Sequence, residues 1–254
     1  MNLFDRNSFS GKKILITGAS SGIGAHTAVK LSQLGCQLIL GGRNLERLNG
    51  IREKLDGDNH ELMVGELRDA DNTYQLISDA VERVGPLDGI FHSAGIETVL
   101  PARLVKQRNV DEIFAASVFA GFGVARAASK KNIMKDAGSL VFMSSVASLT
   151  GQAGYGMYSA SKSAIDGLTR SLACEVAQRK IRVNSVNAGA VLTEMLEKRF
   201  KNSGSSAQEE LENRHLLGLG KTSDVANAVI FLLSDGSNWI TGSSLRVDGG
   251  YTVR

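Results

Sequence analysis

Tyr158 and Lys162 stand four positions apart in the run MYSASKSAI, residues 157–165. On a helix that spacing puts a phenol and an ammonium on one face, a turn apart. Two readings are open. The pair is an ordinary amphipathic contact, with the ring half-buried and the ammonium reaching water. Alternatively, the ammonium draws a phenol with a reference pKa of about 10 toward working pH, which makes a proton donor and acceptor. A second chemical feature lies near the start. The apolar run KILIT, residues 13–17, leads directly into GASSGIG, which places Gly18, Gly22 and Gly24 where a strand would turn into a helix. Glycines there admit unusual backbone angles and let a pyrophosphate approach, and a helix N-terminus favours its charge. The spacing is neither GxGxxG nor a P-loop, whose Lys-Ser/Thr is missing, so a plain tight turn is the alternative. A third feature is Arg43, immediately after the second apolar run. A dinucleotide fold commonly has an acid there, which would repel a 2′-phosphate, whereas a guanidinium suits one. A surface cap is the bland reading of Arg43; its position favours NADP(H), with NAD(H) as the alternative.

These groups need elements to hold them. Strand-like runs recur at KILIT 13–17, QLILG 37–41, LMV 62–64, GIFHSA 89–94, SLVFMSS 139–145, IRVNSV 181–186 and SLRVD 244–248. Between them lie longer stretches with helical periodicity, among them GIGAHTAVKLSQLG and residues 157–177. Strands alternating with helices imply an α/β fold, a doubly wound parallel sheet of about seven strands with helices on both faces. At 254 residues, with no linker-like segment, one domain over 1–254 is expected.

Composition narrows the function classes. Hydrophobic content of 43% and charged content of 22% are those of a globular chain, and a net charge of +3 without a basic arm argues against nucleic acid. No run reaches the length of a membrane span, and the start lacks a signal-peptide apolar core, so the expectation is a cytoplasmic protein. Cys36 and Cys174 form no CxxC, and His26, His60, His92 and His215 have no metal-ligand spacing, so neither a disulfide nor a metal is expected.

Taken in order, these pieces resemble the short-chain dehydrogenases/reductases in their compact single-domain form, over nearly the whole chain. Thr17-Gly18-Ala19-Ser20-Ser21-Gly22-Ile23-Gly24 looks like the family's TGxxxGIG cofactor turn, Ser145 precedes Tyr158 by 13 positions, Lys162 completes YxxxK, and ITGSSLRVDGG resembles the closing strand and turn. The resemblance implies a Rossmann-type fold and selects between the two readings of the opening pair. Tyr158 becomes the general acid in reduction and base in oxidation. Lys162 binds the nicotinamide ribose and lowers the tyrosine pKa. Ser145 hydrogen-bonds the substrate oxygen. Ser20, Ser21 and Ile23 line the phosphate turn, Ala94 and Gly95 border the adenosine side, and Val191 and Thr193 grip the carboxamide.

Four departures from the family pattern stand out. NNAG reads His92-Ser93-Ala94-Gly95, so a hydroxyl replaces the asparagine amide that steadies the sheet. Glu66-Leu67 replaces Asp-Val after the third strand, and Ala188-Gly189 replaces Pro-Gly, which frees a backbone angle. Ser117 stands where relatives carry an asparagine that holds the water of a proton relay, a task open to a serine hydroxyl or a backbone carbonyl.

Substrate contacts are expected from residues 194–218, a polar segment that reads as a lid or as an exposed helical pair. The general pattern resembles 3-oxoacyl-carrier-protein reductases. Lys130, Lys131, Lys135, Arg179 and Lys180 would then face an acidic carrier, or simply form a solvated rim. The expected activity is NADPH-dependent reduction of a small or thioester-linked ketone, or the reverse oxidation. A sugar or polyol dehydrogenase and a weakly catalytic NADP(H)-binding sensor or scaffold are the alternatives. The resemblance also implies a homotetramer, with helices around 109–130 and 157–177 at the interface.

Overall fold

In a computed structural model that describes residues 4–5, 7–203 and 205–253, seven strands form one parallel sheet. They are β1 (Lys13–Thr17), β2 (Gln37–Gly42), β3 (Glu61–Val64), β4 (Leu87–His92), β5 (Met134–Ser145), β6 (Arg182–Ala188) and β9 (Ser244–Val247), in the order β3-β2-β1-β4-β5-β6-β9. Two two-residue strands, β7 (Val191–Leu192) and β8 (Gly220–Lys221), pair apart from it. The expected strands are all present. The fourth ends at His92 rather than at residue 94, so Ser93 and Ala94 lie beyond the ladder.

Strands sandwiched between two helical layers bury both faces, which is why their sequences read as apolar runs rather than as alternation. One core, with Ile77, Val124, Phe142 and Ile165, lies under α3 (Ala70–Val84), α5 (Ala120–Ala128) and α6 (Gly156–Val176). The other, with Leu31, Leu48, Phe91 and Val229, lies under α1 (Gly22–Gln33), α2 (Leu45–Arg52) and α9 (Thr222–Leu233). Each fully buried aliphatic or aromatic side chain contributes roughly 1.5–3 kcal/mol. Caps fix helix starts locally: the Asn44 side chain accepts from the Arg47 amide at 2.8 Å, and Asp69 from the Asn72 amide at 2.8 Å.

Strand order reverses between β1 and β4, and such a switch point opens a crevice beyond the carboxyl ends of the strands. Three elements frame it. One is the turn from β1 to α1. The second is the run α4 (Gln107–Phe114), a π turn at Ala115–Phe119, and α5, where a single helix was expected. The third is the pair α7 (Glu194–Ser203) and α8 (Ser205–Asn213), which occupies the expected lid.

Candidate active site

A cleft of about 710 Å³ runs across the carboxyl edge of the sheet. One end is built by the glycine turn. Gly18 has φ +68°, and a Cβ on it would lie 2.8 Å from the Ala94 amide nitrogen, so only glycine lets β1 and β4 close there. No acidic residue occupies the first turn of α1, so its N-terminal amides present an uncompensated positive end. Ser20, Ser21, Gly22 and Ile23 line the cleft, as do Ala94 and Gly95 opposite. Gly24 does not; a Cβ there would sit 2.3 Å from the Gly18 carbonyl oxygen, so its task is to let α1 pack on the turn. Val191 and Thr193 line the cleft as well, Thr193 Cγ2 lying 3.5 Å from where a Gly22 Cβ would be.

Arg43 also lines this end. Arg43 precedes Asn44, whose side chain caps α2. The Arg43 guanidinium pairs with Glu66 at 3.5 Å. Glu66 in turn accepts from Arg68 at 2.8 Å, and that bond, with the nearby cations, holds its carboxyl below the usual range. Arg47, a second cation at the cleft, had no signal in the sequence beyond its helical position; it pairs with Glu194 of α7 at 2.5 Å.

The other end carries Ser145, Tyr158 and Lys162 together. β5 ends at Ser145, whose hydroxyl caps the following turn by accepting from the Ala147 amide at 3.2 Å. α6 brings the other two, as the four-residue spacing requires. Lys162 is 4% exposed, its Nζ donating to the Met143 carbonyl at 2.9 Å and lying 5.7 Å from the Tyr158 ring centre. Burial pulls its pKa down to about 8, against the raising influence of buried Asp166 one turn on. The expected lowering of the tyrosine is not seen. Burial first, and the Glu97 carboxylate second, push Tyr158 up to about 12, and the opposing influence is the hydrogen bond with Ser145. One N–H of the ammonium goes to the Met143 carbonyl, and the charge that acts on Tyr158 is the negative one of Glu97.

Glu97 and Tyr155 share this end of the cleft, the phenol of Tyr155 donating to Glu97 Oε1 at 2.7 Å. Neither was read from the sequence as a site residue; Tyr155 had a weak signal in its place one turn before Tyr158. Ser117 lies behind the cleft wall on the π turn, 1% exposed, its hydroxyl without a partner among the described residues. A Cβ on Gly95 would be 3.4 Å from Lys162 Nζ and 3.9 Å from Ser117 Oγ, which puts both groups around one point. The His92 ring is buried against the same turn, with the Ser117 backbone as a hydrogen-bond partner. The sheet is steadied by His92, not by the Ser93 hydroxyl: His92 Nδ1 lies 2.8 Å from Thr17 Oγ1, which also accepts from the Ala94 amide at 3.2 Å. Burial and the Lys162 charge bring His92 to about 3, so the ring is neutral.

Comparison with known proteins agrees with this geometry. A family model described as enoyl-(acyl carrier protein) reductase matches residues 18–252. The 3-oxoacyl-[acyl-carrier-protein] reductase of Rickettsia conorii is 36% identical over 95% of this chain and 97% of its own. Glucose 1-dehydrogenase of Gluconobacter oxydans is 32% identical over 98% of this chain and 94% of its own. Among solved structures, a dehydrogenase/reductase from Sinorhizobium meliloti 1021 superposes with a TM-score of 0.88 at 32% identity, covering 97% of both chains. The chain belongs to the short-chain dehydrogenase/reductase family. It is an oxidoreductase of CH–OH and C=O groups, with the family's Rossmann-type fold.

Among the described residues no helix is long and apolar enough to cross a membrane, and no cluster of three His, Cys, Asp or Glu could hold a metal.

Proposed function

We propose that the protein is an NADP(H)-dependent cytoplasmic enzyme that interconverts a ketone and a secondary alcohol, with Ser145, Tyr158 and Lys162 as its working groups. The observation that carries this reading is their convergence at one end of a cleft whose other end is the glycine turn and Arg43. The residues fit a dinucleotide. The bare N-terminus of α1, at the turn that Gly18 closes against Ala94, suits a pyrophosphate, and Arg43 and Arg47 suit a 2′-phosphate. A bound nicotinamide supplies the hydride in reduction and accepts it in oxidation. The Ser145 hydroxyl donates to the substrate oxygen, and the Tyr158 phenol delivers the proton. With its pKa near 12, the phenol is protonated across the neutral range, as an acid for reduction must be. Lys162 has one N–H on Met143 and two left for ribose hydroxyls. Val191 and Thr193 hold the carboxamide. The Ser117 hydroxyl, grouped with Lys162 Nζ around Gly95, offers a buried water a partner, which is the route for proton exchange.

Two substrate classes divide the field. A 3-oxoacyl thioester is the first. The basic rim that would meet its acidic carrier is partly spent internally, because Arg179 pairs with Asp136 and Lys135 with Asp88, both at 2.8 Å. The second is a sugar or polyol, favoured by the Glu97–Tyr155 pair, since a carboxylate in the wall accepts hydrogen bonds from substrate hydroxyls. The test follows nicotinamide absorbance with NADPH and a panel of 3-oxoacyl thioesters, simple ketones and ketoses, with Tyr158→Phe as control. Turnover lost by about 10²-fold or more in the control supports the reading. Turnover that survives in Tyr158→Phe, or none in a protein that binds NADPH, refutes it and favours a sensor or scaffold. Arg43→Asp should weaken NADPH more than NADH, and equal losses would remove the phosphate role of Arg43.

A further inference from the structure

His215 follows α8 by two residues and is 5% exposed. Its Nδ1 lies 2.8 Å from the Leu211 carbonyl, which only accepts, so Nδ1 carries the hydrogen. Its Nε2 lies 3.0 Å from the Ala190 amide, which only donates, so Nε2 offers its lone pair. One neutral imidazole thus joins the last turn of the lid to the backbone just before Val191. The Ala190 carbonyl accepts from the Gly220 amide at 3.0 Å, so both polar groups of that residue are bound from the far side of the lid. The ring also packs against Tyr251 at a 40° tilt, with centroids 4.8 Å apart, and a Cβ on Gly189 would meet Nε2 at 2.9 Å. The imidazole therefore fills the space against the turn that replaces Pro-Gly.

We propose that His215 is a positioning residue that fixes the turn at 190–193, and with it the grip on the nicotinamide half of the cofactor, from the base of the lid. Freed of its proline, the segment Ala188–Ala190 has lost a covalent restraint, and the His215 hydrogen bond supplies a non-covalent one. The inference rests on the cofactor reading above. It differs from a packing role in requiring an acceptor at Nε2 rather than merely a filled volume.

The experiment uses His215→Leu, which keeps bulk without an acceptor, and His215→Gln, whose side-chain oxygen can take the place of Nε2. Calorimetry measures binding of NADPH and of adenosine 2′,5′-bisphosphate, which lacks the nicotinamide half. His215→Leu should lose about tenfold in NADPH affinity, the worth of roughly one net hydrogen bond, and keep the bisphosphate within about twofold. His215→Gln should recover most of the loss. Hydrogen exchange of the ligand-free protein should quicken over residues 188–193 in the Leu variant and not in the Gln variant. Equal losses for both ligands, no loss at all, or a Gln variant no better than Leu would overturn the proposal. Wild-type protein that binds no NADPH would refute the cofactor reading instead, and the exchange measurement would still decide whether His215 holds the turn.

Discussion

Lys162 is asked to be a cation in a place where charge is costly. Its pKa near 8 against an ordinary 10.5 corresponds to roughly 3 kcal/mol withheld from stability at the limit. The sign is definite: between about pH 8 and 10.5 the unfolded chain binds more protons than the folded one, so stability rises with pH there. The penalty is therefore full below pH 8. Lys162→Met should abolish turnover yet resist urea better than wild type at pH 7, with the difference narrowing as pH climbs from 8 toward 10. The lost bond to the Met143 carbonyl offsets part of the gain. A variant less stable at every pH would show that the bond outweighs the desolvation. Tyr158 obeys parallel logic. Under the proposed function oxidation uses its phenolate, so the oxidative rate should rise with pH throughout the usable range while reduction holds level, and Glu97→Gln should raise the oxidative rate at a fixed pH by removing a charge that disfavours phenolate. Tyr158, Lys162 and the glycines were legible in the sequence because helix and turn spacing set their places and the family resemblance then chose between the readings that spacing left open. Glu97, Arg47 and His215 were not, because each reaches the cleft through a contact between elements distant in the chain.

At the scale of elements, the apolar runs located every strand of the main sheet, but besides overrunning the end of β4 they missed the start of β5 and the π turn. β5 begins at Met134 rather than at 139, since Lys135–Ala137 are exposed, Ala137 has φ +58° and the ladder shifts register between Leu87 and Gly89. Polar residues in a kinked strand end read as a turn. The π turn was equally hidden, because one wider turn leaves the apolar spacing of residues 107–128 nearly unchanged, although it bears the buried Ser117. Close contact between α3 and α5 depends on Gly123, where a Cβ would lie 2.5 Å from Thr73 Cβ and 2.7 Å from the Ala70 carbonyl. Backbone cannot step aside cheaply. Gly123→Ala should cost about 1–3 kcal/mol in urea unfolding, and a neutral result would mean that the two helices have slack.

For the whole molecule, the question is how many copies assemble. Phe119 and Phe122 are 43% and 51% exposed on the π turn and α5, within the helical region that the family resemblance assigns to a tetramer interface. Light scattering at micromolar concentration should give a tetramer mass, reduced in the double variant Phe119→Glu/Phe122→Glu; a monomeric wild type would end that expectation. The bridge between Arg47 and Glu194 has a consequence of a different kind. It links α2 to the lid, and Arg43 is likewise paired with Glu66, so under the proposed function an incoming 2′-phosphate would displace carboxylates rather than meet bare cations. Cofactor entry then becomes an exchange of partners. Few small ions are released in such an exchange, so affinity should fall with added salt less steeply than the two arginines alone would dictate.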